Sequence, residues 1–195
     1  MTTPEVTLED FQKVLTPQSI RVLQVIYIAL GAAVFIYTVI AVASYFIFQE
    51  NDQAADPSVV RTLTFIHFLL LPIIFYLAKY LYDRLFPSHR FSQLPVMNST
   101  DRRDFPVPAA EYLLAVIRTS SIVRLALLEG LAIFGITICF LGAMQGVLQQ
   151  YPIYWLNMIS VVIFEMVICI EFPFHQKWET LFREKWAQQT IYKSN

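Results

Sequence analysis

The chain has 195 residues, 56% of them hydrophobic and 15% charged, with a formal net charge of −1 and a mean hydropathy of +0.53. That balance departs from soluble domains in the direction of membrane proteins. There is no phosphate-cradling glycine loop, HExxH, CxxC or serine set for a nucleophile elbow, so no enzyme, no cofactor and no nucleic-acid partner is expected.

Four apolar stretches, about 20–48, 59–82, 120–148 and 153–172, come near or above the ~20 residues that cross a hydrocarbon core. They predict an all-α fold, a four-helix transmembrane bundle making one integral membrane domain of 1–195, with flanking amphipathic helices. At the N-terminal end, Thr7 with Asp10 can cap a turn, and Leu8, Phe11, Val14 and Leu15 share a face. This predicts a surface helix resting on the bilayer or on the bundle. Thr16-Pro17 then supplies a capping hydroxyl and a proline suited to a first helical position. The first apolar stretch lacks a signal peptide's short core and cleavage site, so it reads as a retained helix. Its Ala29, Ala33, Tyr37, Ala41 and Ser44 form a face of mostly small residues.

Asp56-Pro57 repeats the start signal before helix two, which carries His67 in its outer half and Pro72 near its middle. Proline removes a backbone hydrogen bond and predicts a kink. His67 is expected to be a hydrogen-bonded interior histidine. The connection 83–119 contains a formal glycosylation triplet, Asn98-Ser99-Thr100, and a charged cluster, Asp101-Arg102-Arg103-Asp104, expected to touch headgroups. Pro108 opens a helical pattern that can run to Gln149. At ~1.5 Å per residue this outreaches a bilayer, so the helix must project from the membrane or bend near Arg118-Thr119-Ser120-Ser121.

Tyr151-Pro152-Ile153-Tyr154-Trp155 has the aromatic character of an interfacial belt. Helix four carries Glu165 close to mid-membrane, with Cys169 one turn further on. In the tail, 173–195, Trp178, Leu181, Phe182 and Trp186 share one side, which predicts a helix in the headgroup layer. No polar connection is long enough to bury its own core, so no folded soluble domain is expected. Cys139 and Cys169 differ in expected depth by roughly 15 Å, too far for a disulfide.

The basic residues are distributed asymmetrically. Of 14, only Arg61 lies between helices one and two, and none lies between three and four. By the positive-inside rule both termini and 83–119 are expected to be cytoplasmic and the chain to be a multi-pass membrane protein.

Helix three holds the most informative pattern. Ser121, Glu129, Ala132, Gly135, Cys139, Gly142 and Gly146 recur along one side, a stripe that admits a neighbouring backbone. Ala132, Gly135, Gly142 and Gly146 are its packing face, and Glu129 is expected to point at protein rather than lipid. An acid at membrane depth needs a partner or a proton. Glu129, Glu165 and His67 fall within about 15 Å of depth and are the candidate polar or ion site. Arg124 is off the Glu129 face, so no pair between them is expected.

Leu125-Ala126-Leu127-Leu128-Glu129-Gly130-Leu131-Ala132-Ile133-Phe134-Gly135 resembles, over about a dozen residues, the outer helix of the proteolipid c subunit of rotary ATP synthases. In that family the acid carries the ion. Helix one departs from its glycine-dense companion helix, offering only Gly31. A longer resemblance, carried by Arg118-Thr119-x-x-Ile122-x-Arg124-x-Ala126-Leu127-Leu128-Glu129-Gly130 and by Phe172-Pro173 ahead of Trp178, is to uncharacterised bacterial four-helix integral membrane proteins. It implies architecture and no activity. The expected function is therefore a structural or accessory membrane protein in the lipid bilayer, a homo-oligomer or part of a larger membrane complex. The alternative is a small proton or cation conductor using Glu129 and Glu165.

Overall fold

The computed structural model describes residues 8–48, 56–85, 106–174 and 176–180. Thr7, the triplet 98–100, the cluster 101–104 and the tail residues Leu181, Phe182 and Trp186 lie outside them. The elements in chain order are α1 (Leu8–Val14), α2 (Pro17–Ile47), α3 (Ser58–Leu85), α4 (Pro106–Met144), the short α5 (Val147–Gln150), a 3-10 helix (Pro152–Met158) and α6 (Ile159–Glu171). Residues 176–180 are also helical, and no strand occurs among the described residues. Four helical stretches are long and apolar enough to cross a membrane: Pro17–Ile47, Ser58–Arg84, Ala110–Met144 and Pro152–Glu171.

The helix starts follow from local chemistry. Thr16 Oγ1 accepts the Ser19 amide at 3.2 Å, satisfying one of the donors that α2 leaves open at its first turn. Asp56 does the same for α3, accepting the Ser58 amide at 2.9 Å and its hydroxyl at 2.8 Å. Those two hydrogen bonds hold the Asp56 carboxyl below its ordinary pKa. A depressed folded value means that the cap is at full strength above the unfolded pKa and is lost as pH falls through the folded one. Asp56→Ala at neutral pH should accelerate hydrogen exchange at the Ser58 amide roughly several-fold, and acidification should lower that amide's protection relative to its intrinsic exchange rate. Exchange unchanged by either would contradict the cap. Further along, α3 continues through Pro72 without interruption.

α4 is 39 residues long and unbroken, roughly 58 Å at the usual helical rise. Its length is shared between two compact units. One draws on Met1–Ile26, Leu81–Ile122 and Phe172–Asn195; the other comprises Tyr27–Tyr80 and Val123–Glu171.

The first unit has a core of its own. Phe11 and Leu15 from the α1 region, Ile20 and Leu23 from α2, Ala110, Leu114 and Ile117 from α4, and Trp178 are all buried in it. Polar ties cross the same segments: Gln12 Nε2 donates to Glu179 Oε1 at 3.0 Å, and Gln24 Nε2 to the Pro173 carbonyl at 3.1 Å. Trp178 is only 3% exposed, so protein rather than lipid covers it. No single connection builds this core: three segments far apart in sequence contribute to it together.

In the second unit α4 is the central helix. Half of its apolar window is buried within the chain, against 11–33% for the other three. Its buried seam there runs Leu125, Leu128, Ala132, Gly135, Cys139, Gly142, alternating steps of three and four. That 3.5-residue repeat is the knobs-into-holes spacing of left-handed helix packing. Large apolar side chains face outward instead, among them Phe35 and Phe46 of α2, Phe65 of α3 and Met166 and Ile170 of α6. Such a surface is a liability in water and the ordinary surface of a helix in lipid.

Candidate functional site

The seam of α4 meets the 3-10/α6 segment at a polar node. His67 of α3 is wholly buried, yet both ring nitrogens have partners: Nδ1 lies 3.0 Å from Asn157 Oδ1 and Nε2 3.1 Å from Ser160 Oγ. Asn157, also wholly buried, donates through Nδ2 to the Tyr154 carbonyl at 2.8 Å and to Thr64 Oγ1 at 2.9 Å. A carbonyl can only accept, so the amide nitrogen must face Tyr154 and the amide oxygen must face His67. The amide oxygen in turn requires a proton on Nδ1. In the neutral ring Nε2 is then an acceptor, and the Ser160 hydroxyl is the group placed to donate to it. The Asn157 backbone carbonyl, 3.2 Å from Ser160 Oγ, is the alternative acceptor for that hydroxyl's one proton.

The fourth span opens with seven residues of 3-10 helix, a longer run than that geometry usually sustains, and becomes α-helical at Ile159. The Tyr154 carbonyl accepts the Asn157 amide nitrogen and lies 3.6 Å from Cys139 Sγ. The tighter coil also rises more per residue. Seven 3-10 and thirteen α residues reach roughly 33 Å, enough for a hydrocarbon core that thirteen α residues alone could not cross.

Gly135 lets α4 come this close. A Cβ built there would run into the Asn157 carbonyl oxygen and stand 2.6 Å from Ser160 Oγ and 3.2 Å from His67 Cε1. The Phe134 ring packs edge-on against His67 with centroids 5.8 Å apart. Beside the node, Val60, Ile138, Cys139, Ala143, Val147 and Leu148 form an apolar cluster with Tyr154.

The packing-face residues divide. Ala132, Gly135 and Gly142 lie on the buried seam, and a Cβ at Gly142 would stand 3.2 Å from Leu148 Cγ and 3.7 Å from Val60 Cγ1. Gly146 lies beyond the end of α4 at φ 71°, where a side chain would strain the turn into α5. Cys139 and Cys169 are both free thiols, the first buried and the second exposed.

The two acids do not join the node. Among the described residues no hydrogen bond or ion pair links His67, Glu129 and Glu165 to one another. Glu129 is half-buried, because the seam passes through Leu125 and Leu128 and leaves position 129 at its edge. The small-residue stripe and the buried seam coincide at Ala132, Gly135, Cys139 and Gly142 and differ at Glu129, where Leu128 takes the buried position. Glu165 is half-buried too. Its Oε1 is buried without a partner, and its Oε2 would stand 3.5 Å from a Cβ at Gly31 of α2. Arg124 pairs with Glu171 at 2.6 Å rather than with Glu129.

Thr64, Asn157 and Ser160 were not singled out from the sequence. An amide within the apolar run Ile153–Phe172 was the available signal, since a polar side chain at that depth demands a partner. Fold and site together define a chain that is helical over nearly all of its described residues, with four helices long and apolar enough to cross a membrane and a buried polar node among three of them. Comparison with protein-family models, with curated proteins and with solved structures finds no match.

Proposed function

We propose that this is a structural or accessory integral membrane protein that self-associates or docks on a larger membrane complex. The reading places it in a bacterial cytoplasmic membrane with both termini inside, supported by the 13 basic residues that fall on that side against one outside. The observation that carries it is the saturation of the node: His67 is wholly buried and both its nitrogens are held by neutral groups, so it offers an ion no entry. The small face of α4 is spent on packing within the chain. Docking therefore falls to α2, whose Ala29 is exposed and Ala33 half-buried on a helix with an apolar window only 22% covered. Sizing in mild detergent should give a stable oligomer or co-purifying subunits, with no ion flux after reconstitution. A clean monomer that conducts would contradict it.

One observation favours the second reading, proton or cation conduction. Glu165 carries a buried carboxyl oxygen with no partner inside an apolar span, the arrangement of a group that holds an exchangeable proton. On that reading Glu165→Gln abolishes flux in liposomes, and Glu129→Gln reduces it. Flux that survives both substitutions ends it.

A further inference from the structure

An open cavity of about 310 Å³ lies between α3 and α4, lined by Phe75, Tyr76, Ala78, Lys79, Arg124 and Leu128. Two cations on different helices share it with an apolar floor. All six belong to the second unit, and Lys79 and Arg124 stand within two residues of its limits at Tyr80 and Val123. The Glu171 carboxylate, at the last residue of α6, holds Arg124 by the 2.6 Å ion pair. Lys79, Arg124 and Glu171 together carry one net positive charge, the complement of a single phosphodiester. The mixed lining suits a ligand with an anionic head and a hydrocarbon body.

We propose that this cavity binds one anionic phospholipid, its phosphodiester between Lys79 and Arg124 and an acyl chain along Phe75 and Leu128. Arg124 is the donor oriented by Glu171, and Lys79 the donor on an exposed stem. A zwitterionic headgroup brings its own ammonium to the same two cations and loses the charge match.

The test uses the full chain in mild detergent, offered equimolar phosphatidylglycerol and phosphatidylcholine, with retained lipid counted by native mass spectrometry. Phosphatidylglycerol should be retained about five-fold over phosphatidylcholine, the advantage expected of one basic side chain near a headgroup. Lys79→Gln should remove that advantage, Lys79→Arg should keep it, and Arg61→Gln, at the opposite end of α3, should leave it unchanged. Thermal unfolding of Lys79→Gln like that of the parent chain secures the comparison, and Lys79→Arg carries it if Lys79→Gln unfolds early. Millimolar inorganic phosphate should not displace the lipid, because half of the site is apolar. Equal retention of the two lipids, indifference to Lys79→Gln, or displacement by inorganic phosphate would each overturn the proposal.

Discussion

Gly135→Ala should lower the thermal midpoint of the detergent-solubilised chain by roughly 6–12 °C, the equivalent of about 3 kcal/mol for a protein of this size. The added methyl meets a backbone carbonyl, that of Asn157, with Ser160 Oγ at 2.6 Å behind it. The backbone carbonyl cannot step aside as the tip of a flexible side chain would. α4 must move away from the fourth span, and the hydrogen bonds at His67 lengthen with it. Gly130 is the control on the same helix: a Cβ there meets nothing within 4 Å, so Gly130→Ala should leave the midpoint unchanged or raise it by up to about 4 °C, the helix preference of alanine over glycine. Equal effects of the two substitutions would show that the close approach at Gly135 does not exist.

Asn157→Leu should cost on the order of 2–4 kcal/mol, because one change leaves His67 Nδ1, Thr64 Oγ1 and the Tyr154 carbonyl short of a partner. An unmet buried polar group is dearer than the bond it replaces is strong. For that reason Asn157→Leu combined with His67→Leu should be less damaging than the sum of the two alone, by about 1 kcal/mol. Ser160 keeps the Asn157 carbonyl as an acceptor in that background. Strict additivity in this cycle would mean that the ring and the amide do not interact.

Hydropathy and length fixed the four long helices, and Thr16-Pro17 fixed the start of α2, because those signals are local. The same local rules placed Ala132, Gly135 and Gly142 on one seam of α4. What escaped them depended on partners distant in sequence. The core around Phe11, Leu114 and Trp178 needs three segments that no window of sequence joins. Glu171 closes the last helix, yet its partner is Arg124, 47 positions earlier. Leu128 rather than Glu129 occupies the seam because the helices pack on a repeat that takes large residues as readily as small ones. Asn157 was overlooked because a single amide barely alters an apolar average, although its burial decides the geometry of the fourth span.

The account stands or falls on His67 being closed off inside the chain by Asn157. Nitrogen-15 NMR of the bilayer-reconstituted protein tests this directly, in a chain whose other two histidines are replaced through His89→Gln and His175→Gln so that a single ring reports. The predicted spectrum is a neutral imidazole protonated at Nδ1, protected from exchange, that changes when Asn157 becomes Leu. A proton on Nε2, or a ring exchanging freely with water, would contradict it.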